Sequence, residues 1–149
     1  GKEIQNKLLQ LVDEDTEAFN KILNAFSLPK KTEEDIKIRK SAVQEATRNA
    51  ALVPFRVMET AFSGFGLIGE MIEIGNPNSV TDAAAGALAL RSCIRGAFLN
   101  VKINASGLDN REFANDLLRK GQTIESKAIE EEEALLKKVE IKIQDKAKN

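Results

Sequence analysis

One acidic residue near the start of the chain lies where a solvated acid is not expected. The stretch LVDEDTEAFNKIL carries Asp13, Glu14 and Asp15 in a row. At about 100° per residue of helix, Asp15 lies in the middle of an apolar stripe, Asp13 on the opposite side and Glu14 at the flank. The stripe consists of Ile4, Leu8, Leu11, Val12, Phe19, Ile22, Leu23 and Phe26. A carboxylate there should be paired, held protonated or turned to a wet cavity, and in the last two cases it suits general acid–base catalysis.

The alternative for Asp15 is a buried ion pair with an arginine of a neighbouring helix, for which Arg48 and Arg95 are candidates. Acid–base chemistry in this chain must in any case fall to Asp, Glu or Lys, because there is no histidine and a single cysteine, Cys93. This composition excludes Ser-His and Cys-His nucleophiles, an internal disulfide and a His- or thiolate-ligated metal site. Cys93 lies in an apolar run and is interpreted as a small core residue.

A second pattern is a series of small residues with polar groups at both ends, which we call the small-residue seam. It comprises Asp82, Gly86, Ala89, Cys93, Gly96 or Ala97, Asn100 and Asn104, at spacings of three or four. Small side chains let another helix or a flat ligand approach closely, and Gly86 and Gly96 inside a helix imply that closeness is needed. Asn100 and Asn104 could present amide groups to a ligand or across a dimer axis. Plain helix packing is the alternative.

Two weaker patterns accompany the seam. Arg91 and Arg95 are one turn apart and could bind an anionic ligand, although salt bridges are the preferred interpretation. The loop GNPNSVTD leads into a helix N-terminus, where free N–H groups could bind a carboxylate, but capping alone explains it. Ser79 and Asp82 are spaced as a capping box.

The bulk composition fits one helical domain. The 149 residues are 42% hydrophobic, with 22 basic and 23 acidic residues, no Tyr or Trp and seven Phe. A near-zero net charge and few aromatic residues argue against nucleic-acid binding. No apolar run reaches the ~20 residues that span a bilayer, so we expect no membrane association and a cytoplasmic location.

The element pattern predicts an all-α, multihelical antiparallel bundle of four to five long helices. The first runs from Lys2 to Phe26 and ends before Pro29, and Thr32 is predicted to cap the next. Pro54 either kinks that helix, or the helix stops near Leu52 and a new one starts at Pro54 and ends near Ile74. Two further helices are predicted over residues 79–103 and from residue 110 toward the end.

Several segments, in order, resemble the C-terminal domain of the formiminotransferase-cyclodeaminase family. The most specific are VDEDTEAF, GNPNSVTDA and LNVKIN, and LPKKTEED and QEATRNAALVPFRV also match. The family includes formimidoyltetrahydrofolate cyclodeaminases, alone or fused to a transferase, and methenyltetrahydrofolate cyclohydrolases. The resemblance covers essentially all 149 residues.

The resemblance implies an all-helical folate enzyme that forms a homodimer, acts on a tetrahydrofolate derivative and carries no covalently bound cofactor and no metal. It implies a catalytic role for the second Asp of VDEDTEAF, which is Asp15, and carries over Asp82, Asn100 and Asn104 as substrate-binding or dimer contacts. Arg48 and Arg95 complete the candidate substrate-binding residues. The residues do not distinguish a cyclodeaminase from a cyclohydrolase, or either from a non-catalytic dimerisation module beside a fused or partner formimidoyltransferase.

The sequence departs from the family pattern at its start. Family members begin with a further helical segment that carries a glycine-rich, GGGS-like turn, and GKEIQ already starts in helical phase. We therefore expect residues 1–149 to form a cyclodeaminase-type helical domain without that segment, which also contributes to the folate pocket and the core.

Overall fold

The computed structural model describes residues 1–149 as four α-helices and no strand. The helices are α1 (Lys2–Phe26), α2 (Glu33–Ile74), α3 (Val80–Ser106) and α4 (Arg111–Lys148). Consecutive helices are antiparallel and joined by short loops, so the predicted all-α bundle is confirmed. The bounds agree with the sequence prediction within three residues at every end that was predicted.

The loops show which capping predictions were right. Thr32 accepts a hydrogen bond from the Asp35 N–H and the Asp35 carboxylate accepts one from the Thr32 N–H, a complete capping box. The predicted Ser79–Asp82 box is wrong, because Ser79 makes no side-chain cap. Its hydroxyl donates to the Asn76 carbonyl instead, and the Asn76 side chain accepts from the N–H groups of Asn78 and Ser79. An Asx turn has replaced the box.

Helix α2 continues through Pro54 as one 42-residue helix. The alternative of a helix that stops near Leu52 is therefore wrong. Proline has no N–H for the carbonyl four residues earlier, which is that of Ala50. The structure supplies another donor for that carbonyl from α3, the Asn104 side chain.

Helix α2 is the centre of the fold. It packs against all three other helices, α4 packs on both α2 and α3, and α1 packs on α2 alone. The main core lies among α2, α3 and α4, and its largest fully buried side chains include Met58, Ile72, Ile94 and Phe98. A small separate cluster of Ala18, Ala50 and Val53 joins α1 to α2.

By length and composition α2 could cross a membrane, contrary to the expectation that no apolar run is long enough. In this fold the apolar residues of α2 form much of the core. The buried residues of α2 face α1, α3 and α4, and a central core helix must be apolar on several sides.

Candidate functional site

Asp15 is exposed and has neither an ion pair nor a hydrogen bond. The prediction that it sits in a buried apolar face is wrong. Val12 and Phe19, its neighbours on the helix surface, remain 63% and 59% exposed. The alternative of an ion pair with Arg48 or Arg95 is wrong as well, because both arginines have other partners.

The reason for the error is that α1 docks through alanine. Ala18 is 1% exposed and Ala25 is also buried, whereas the large residues of the stripe are divided between the buried and the exposed side. Alanine allows close helix contact, which turns the buried face toward Leu11, Glu14 and Ala18. Counting only large apolar residues placed the centre of the face near Asp15.

Glu14, which the sequence placed at the flank, is therefore the acid at the α1–α2 interface. Its carboxylate lies 3.8 Å from the Arg56 guanidinium. The pair lines an open cleft of about 400 Å³ together with Lys7, Gln10, Leu11, Glu59, Thr60 and Ser63. Glu14 lies one turn before Ala18, and this spacing from a small residue was the signal that could have identified it.

This cleft lies on the side of α2 that faces away from α3. Arg56, Glu59 and Ser63 line it, whereas Gly64 and Ile68 contact α3. At 3.6 residues per turn, these two sets lie roughly 120° apart around α2. The opposite side of α1 is therefore the side nearer α3.

Asp15 lies on the side of α1 that is nearer α3. Lys7, Gln10 and Glu14 line the cleft, and Asp15 lies about 100° around α1 from their mean direction. Helices α1 and α3 both pack on α2 without contacting each other, so part of the α2 surface lies between them. We call this the α1–α3 groove. Asp15 and Phe19 lie on its α1 side.

The α3 side of the groove carries Asn104 at the matching level. Ala50 of α2 packs against Ala18 of α1, and its carbonyl accepts a hydrogen bond from Asn104 Nδ2 at 3.2 Å. Asp15 is one turn before Ala18, and Asn100 is one turn before Asn104 and exposed. The structure thus brings three predicted residues, Asp15, Asn100 and Asn104, to one level of the bundle.

Asp82 is not part of this constellation. It is exposed in the first turn of α3, where a carboxylate complements the helix dipole. The 18 residues between Asp82 and Asn100 correspond to about 27 Å of helix. Within one chain, Asp82 and the two asparagines therefore lie at different ends of α3 and do not form one compact site.

The two predicted arginines are engaged by α4. The Arg48 guanidinium lies 4.3 Å from the ring centre of Phe113, a cation–π contact. Arg95 pairs with Glu125, and Arg91 lies 4.0 Å from Glu125 and 3.4 Å from Glu132. The salt-bridge interpretation of Arg91 and Arg95 is confirmed.

The small-residue seam divides between a packed and an open side. A Cβ on Gly86 would lie 2.8 Å from Ile68 Cδ1, so α3 packs closely on α2 there and the end of the Ile68 side chain would have to shift to admit an alanine. Gly96 has nothing within 4 Å of that position, so this chain alone does not require a glycine at residue 96. Cys93 is half-buried, and burial raises the pKa of its thiol, which keeps it a poor nucleophile at neutral pH.

Comparison with known proteins gives a consistent result. Residues 1–123 match the family described as Formiminotransferase-cyclodeaminase. Methenyltetrahydrofolate cyclohydrolase from Methylorubrum extorquens is 34% identical over 116 residues, covering 78% of this chain and 56% of that protein. Formimidoyltransferase-cyclodeaminase from Sus scrofa is 38% identical over 107 residues, covering 72% of this chain and 20% of that protein.

A solved structure agrees with the fold. The crystal structure of formiminotetrahydrofolate cyclodeaminase from Thermotoga maritima superposes with a TM-score of 0.73 at 22% identity, covering 98% of this chain and 67% of that one. The chain spans about half the length of the cyclohydrolase and a fifth of the transferase-cyclodeaminase. Since the family match extends over most of the sequence, the chain belongs to the formiminotransferase-cyclodeaminase family.

Proposed function

We propose that this chain forms the catalytic domain of a formimidoyltetrahydrofolate cyclodeaminase. The reaction closes 5-formimidoyltetrahydrofolate to 5,10-methenyltetrahydrofolate and releases ammonia. The names of the relatives and the fold of the Thermotoga maritima cyclodeaminase support this class of substrate. No covalently bound cofactor is needed, because the folate itself carries the one-carbon unit.

The chemistry requires a proton to be moved between two nitrogens. The formimino group enters as its protonated amidinium. N10 attacks the formimino carbon on N5 and gives up its proton, and the former imino nitrogen, already NH2, must gain this one further proton before it leaves as ammonia. The C–N10 bond forms and the bond to the departing nitrogen breaks, which leaves the methenyl bridge. One carboxylate can take the first proton and return it to the leaving nitrogen.

Asp15 is the residue to which we assign this role. The observation that carries the assignment is that its carboxylate is unpaired and borders the α1–α3 groove, level with Asn100 and Asn104. Glu14, by contrast, is paired with Arg56 on the other side of α1. Phe19 and Val12 beside Asp15 are exposed and could pack on the flat pterin.

The test is ammonia release from 5-formimidoyltetrahydrofolate by the purified protein and its Asp15→Asn variant. We expect Asp15→Asn to lower kcat by about 10²–10⁴-fold, the usual contribution of a general acid–base group, with an unchanged unfolding midpoint. Asp13→Asn is the matched control, because Asp13 is exposed and on the opposite side of α1. Equal activity of the two variants would remove Asp15 from the mechanism.

A second candidate is methenyltetrahydrofolate cyclohydrolase. The similarity to the Methylorubrum extorquens protein, which extends over 78% of the chain, favours it. In that reaction water attacks the methenyl carbon and Asp15 takes one proton of the water. The bond from that carbon to N5 then breaks as N5 takes the second proton, which leaves the formyl group on N10. Turnover of methenyltetrahydrofolate without activity on the formimidoyl substrate would select the cyclohydrolase.

A third candidate is not an enzyme but a non-catalytic dimerisation module beside a fused or partner formimidoyltransferase. We propose a homodimer in either case, and the unpartnered Leu88, Leu99 and Ile103 on the open side of the small-residue seam support it. In a pure module Asp15→Asn changes no rate. Loss of turnover with an intact fold therefore separates the enzyme from the module.

A further inference from the structure

The carbonyl of Ala50 lacks its ordinary partner inside α2. In an uninterrupted helix it would accept a hydrogen bond from the N–H of residue 54, but residue 54 is a proline. Ala50 is buried between α1 and α2, so water does not readily replace that donor. A buried carbonyl without a donor is strongly disfavoured.

Asn104 of α3 supplies the missing donor. Its Nδ2 lies 3.2 Å from the Ala50 oxygen and 2.9 Å from the oxygen of Asn100. A carboxamide nitrogen has two hydrogens, and these two carbonyls take both. The amide group of Asn104 that could donate to a ligand is therefore already engaged within the protein.

We propose that Asn104 is a positioning residue which replaces the hydrogen bond that Pro54 removes, and that it does not bind substrate through its amide nitrogen. The bond joins α3 to α2 at the residue where Ala18 docks α1. It therefore fixes the spacing of Asp15 and Asn100 across the α1–α3 groove. The effect on catalysis rests on the proposed function, whereas the effect on stability does not.

The pair can be tested by a double-mutant cycle on the intact protein. Asn104→Ala should lower the urea midpoint in the natural Pro54 background, because the Ala50 carbonyl loses its donor. In a Pro54→Ala background the new N–H of residue 54 can bond to that carbonyl. There, Asn104→Ala should lower the midpoint by well under half as much.

Asn100→Ala is the matched control, since Asn100 is on the same helix, one turn away, with an exposed side chain. Its effect on the midpoint should be the same in both backgrounds. If Asn104→Ala is equally costly in the natural and in the Pro54→Ala background, the assignment is overturned.

A second comparison does not need the Pro54 variant to fold. If the amide nitrogen of Asn104 donates to two carbonyls, Asn104→Asp brings a carboxylate against them and should lower the midpoint more than Asn104→Leu. If Asp is tolerated better than Leu, the side chain acts through its oxygen and the proposal fails.

The rate of turnover distinguishes positioning from substrate contact. Positioning predicts that Pro54→Ala restores most of the kcat/KM lost in Asn104→Ala, because a backbone donor replaces the side chain. A direct substrate contact cannot be rescued in this way. If the protein turns over neither folate substrate, the proposed function fails, and the stability cycle still decides the role of Asn104.

Discussion

Glu125 is the only charged residue that is buried, with 3% of it exposed, and its partners are two arginines of α3. Its Oε1 contacts Arg91 and Arg95, whereas its Oε2 and the Nη1 of Arg91 are buried without a partner. Burying these charged groups costs free energy. The ion pairs offset this cost only while the carboxylate and the arginines are both present. The sequence indicated only salt bridges for the arginines, since Glu125 is distant in the chain.

We predict that Glu125→Gln lowers the free energy of unfolding by about 1–3 kcal/mol, because the partly buried Arg91 then keeps Glu132 as its one carboxylate partner. Urea unfolding followed by circular dichroism measures the loss. Glu130→Gln, at an exposed position of the same helix, is the control and should change stability by less than about 0.5 kcal/mol. A loss as small as that of the control would mean that the Glu125 charge contributes nothing net.

At the scale of elements, one close contact between α3 and α4 places a glycine against an aromatic ring. Phe98 is almost fully buried, and a Cβ built on Gly121 would lie 2.6 Å from Phe98 Cε1 and 2.9 Å from Cδ1. A ring inside a packed core has little room to move. The absence of a side chain on Gly121 therefore makes room for the Phe98 ring.

We expect Gly121→Ala to lower the free energy of unfolding by about 1–3 kcal/mol from overpacking, in spite of the gain of about 1 kcal/mol that alanine gives a helix. Gly66→Ala is the matched variant, because Gly66 lies in α2 with nothing within 4 Å of the added carbon. It should raise stability by about 0.5–1 kcal/mol. Thermal and urea unfolding of both variants measure the expected loss and the expected gain of stability. A Gly121→Ala variant that is more stable than the natural protein would contradict the close contact.

The difference between local contacts and contacts between helices explains which features of the helices could be predicted. Their ends depend on local chemistry, such as Pro29 after α1 and the Thr32–Asp35 capping box. The prediction of a Ser79–Asp82 box failed because Asn76, just outside the pattern, accepts the Ser79 N–H that the box would use and the Ser79 hydroxyl as well. The predicted rotation of α1 was wrong because it depends on the partner that Ala18 contacts.

At the scale of the whole molecule, large apolar side chains remain uncovered on all four helices, and those of α1 and α3 lie on helices that both pack on α2. On α3 these are Leu88, Leu99 and Ile103, and on α1 they include Val12, Phe19 and Leu23. Apolar surface of this extent usually marks an interaction surface. The proposed homodimer would cover the α3 residues, next to the small-residue seam.

We predict that the double variant Leu99→Glu with Ile103→Glu shifts the protein from dimer to monomer, because two carboxylates would be buried in the interface. Light scattering during gel filtration measures the mass. Ile141→Glu, an equally exposed isoleucine on α4, should leave the mass unchanged. An unchanged mass for the double variant would exclude this face of α3 as the dimer contact.

The sequence alone determined the fold class, the helix ends, the family and the candidate Asp15, because these depend on periodicity, caps and motifs within a few residues. The tertiary structure decided which face of α1 is buried, that Glu14 is paired while Asp15 is free, and that Asp82 is too far from Asn100. It also paired Asn104 with Ala50 and Glu125 with Arg95. Such pairings join residues that are far apart in the chain, and only the close approach of small residues between helices specifies them.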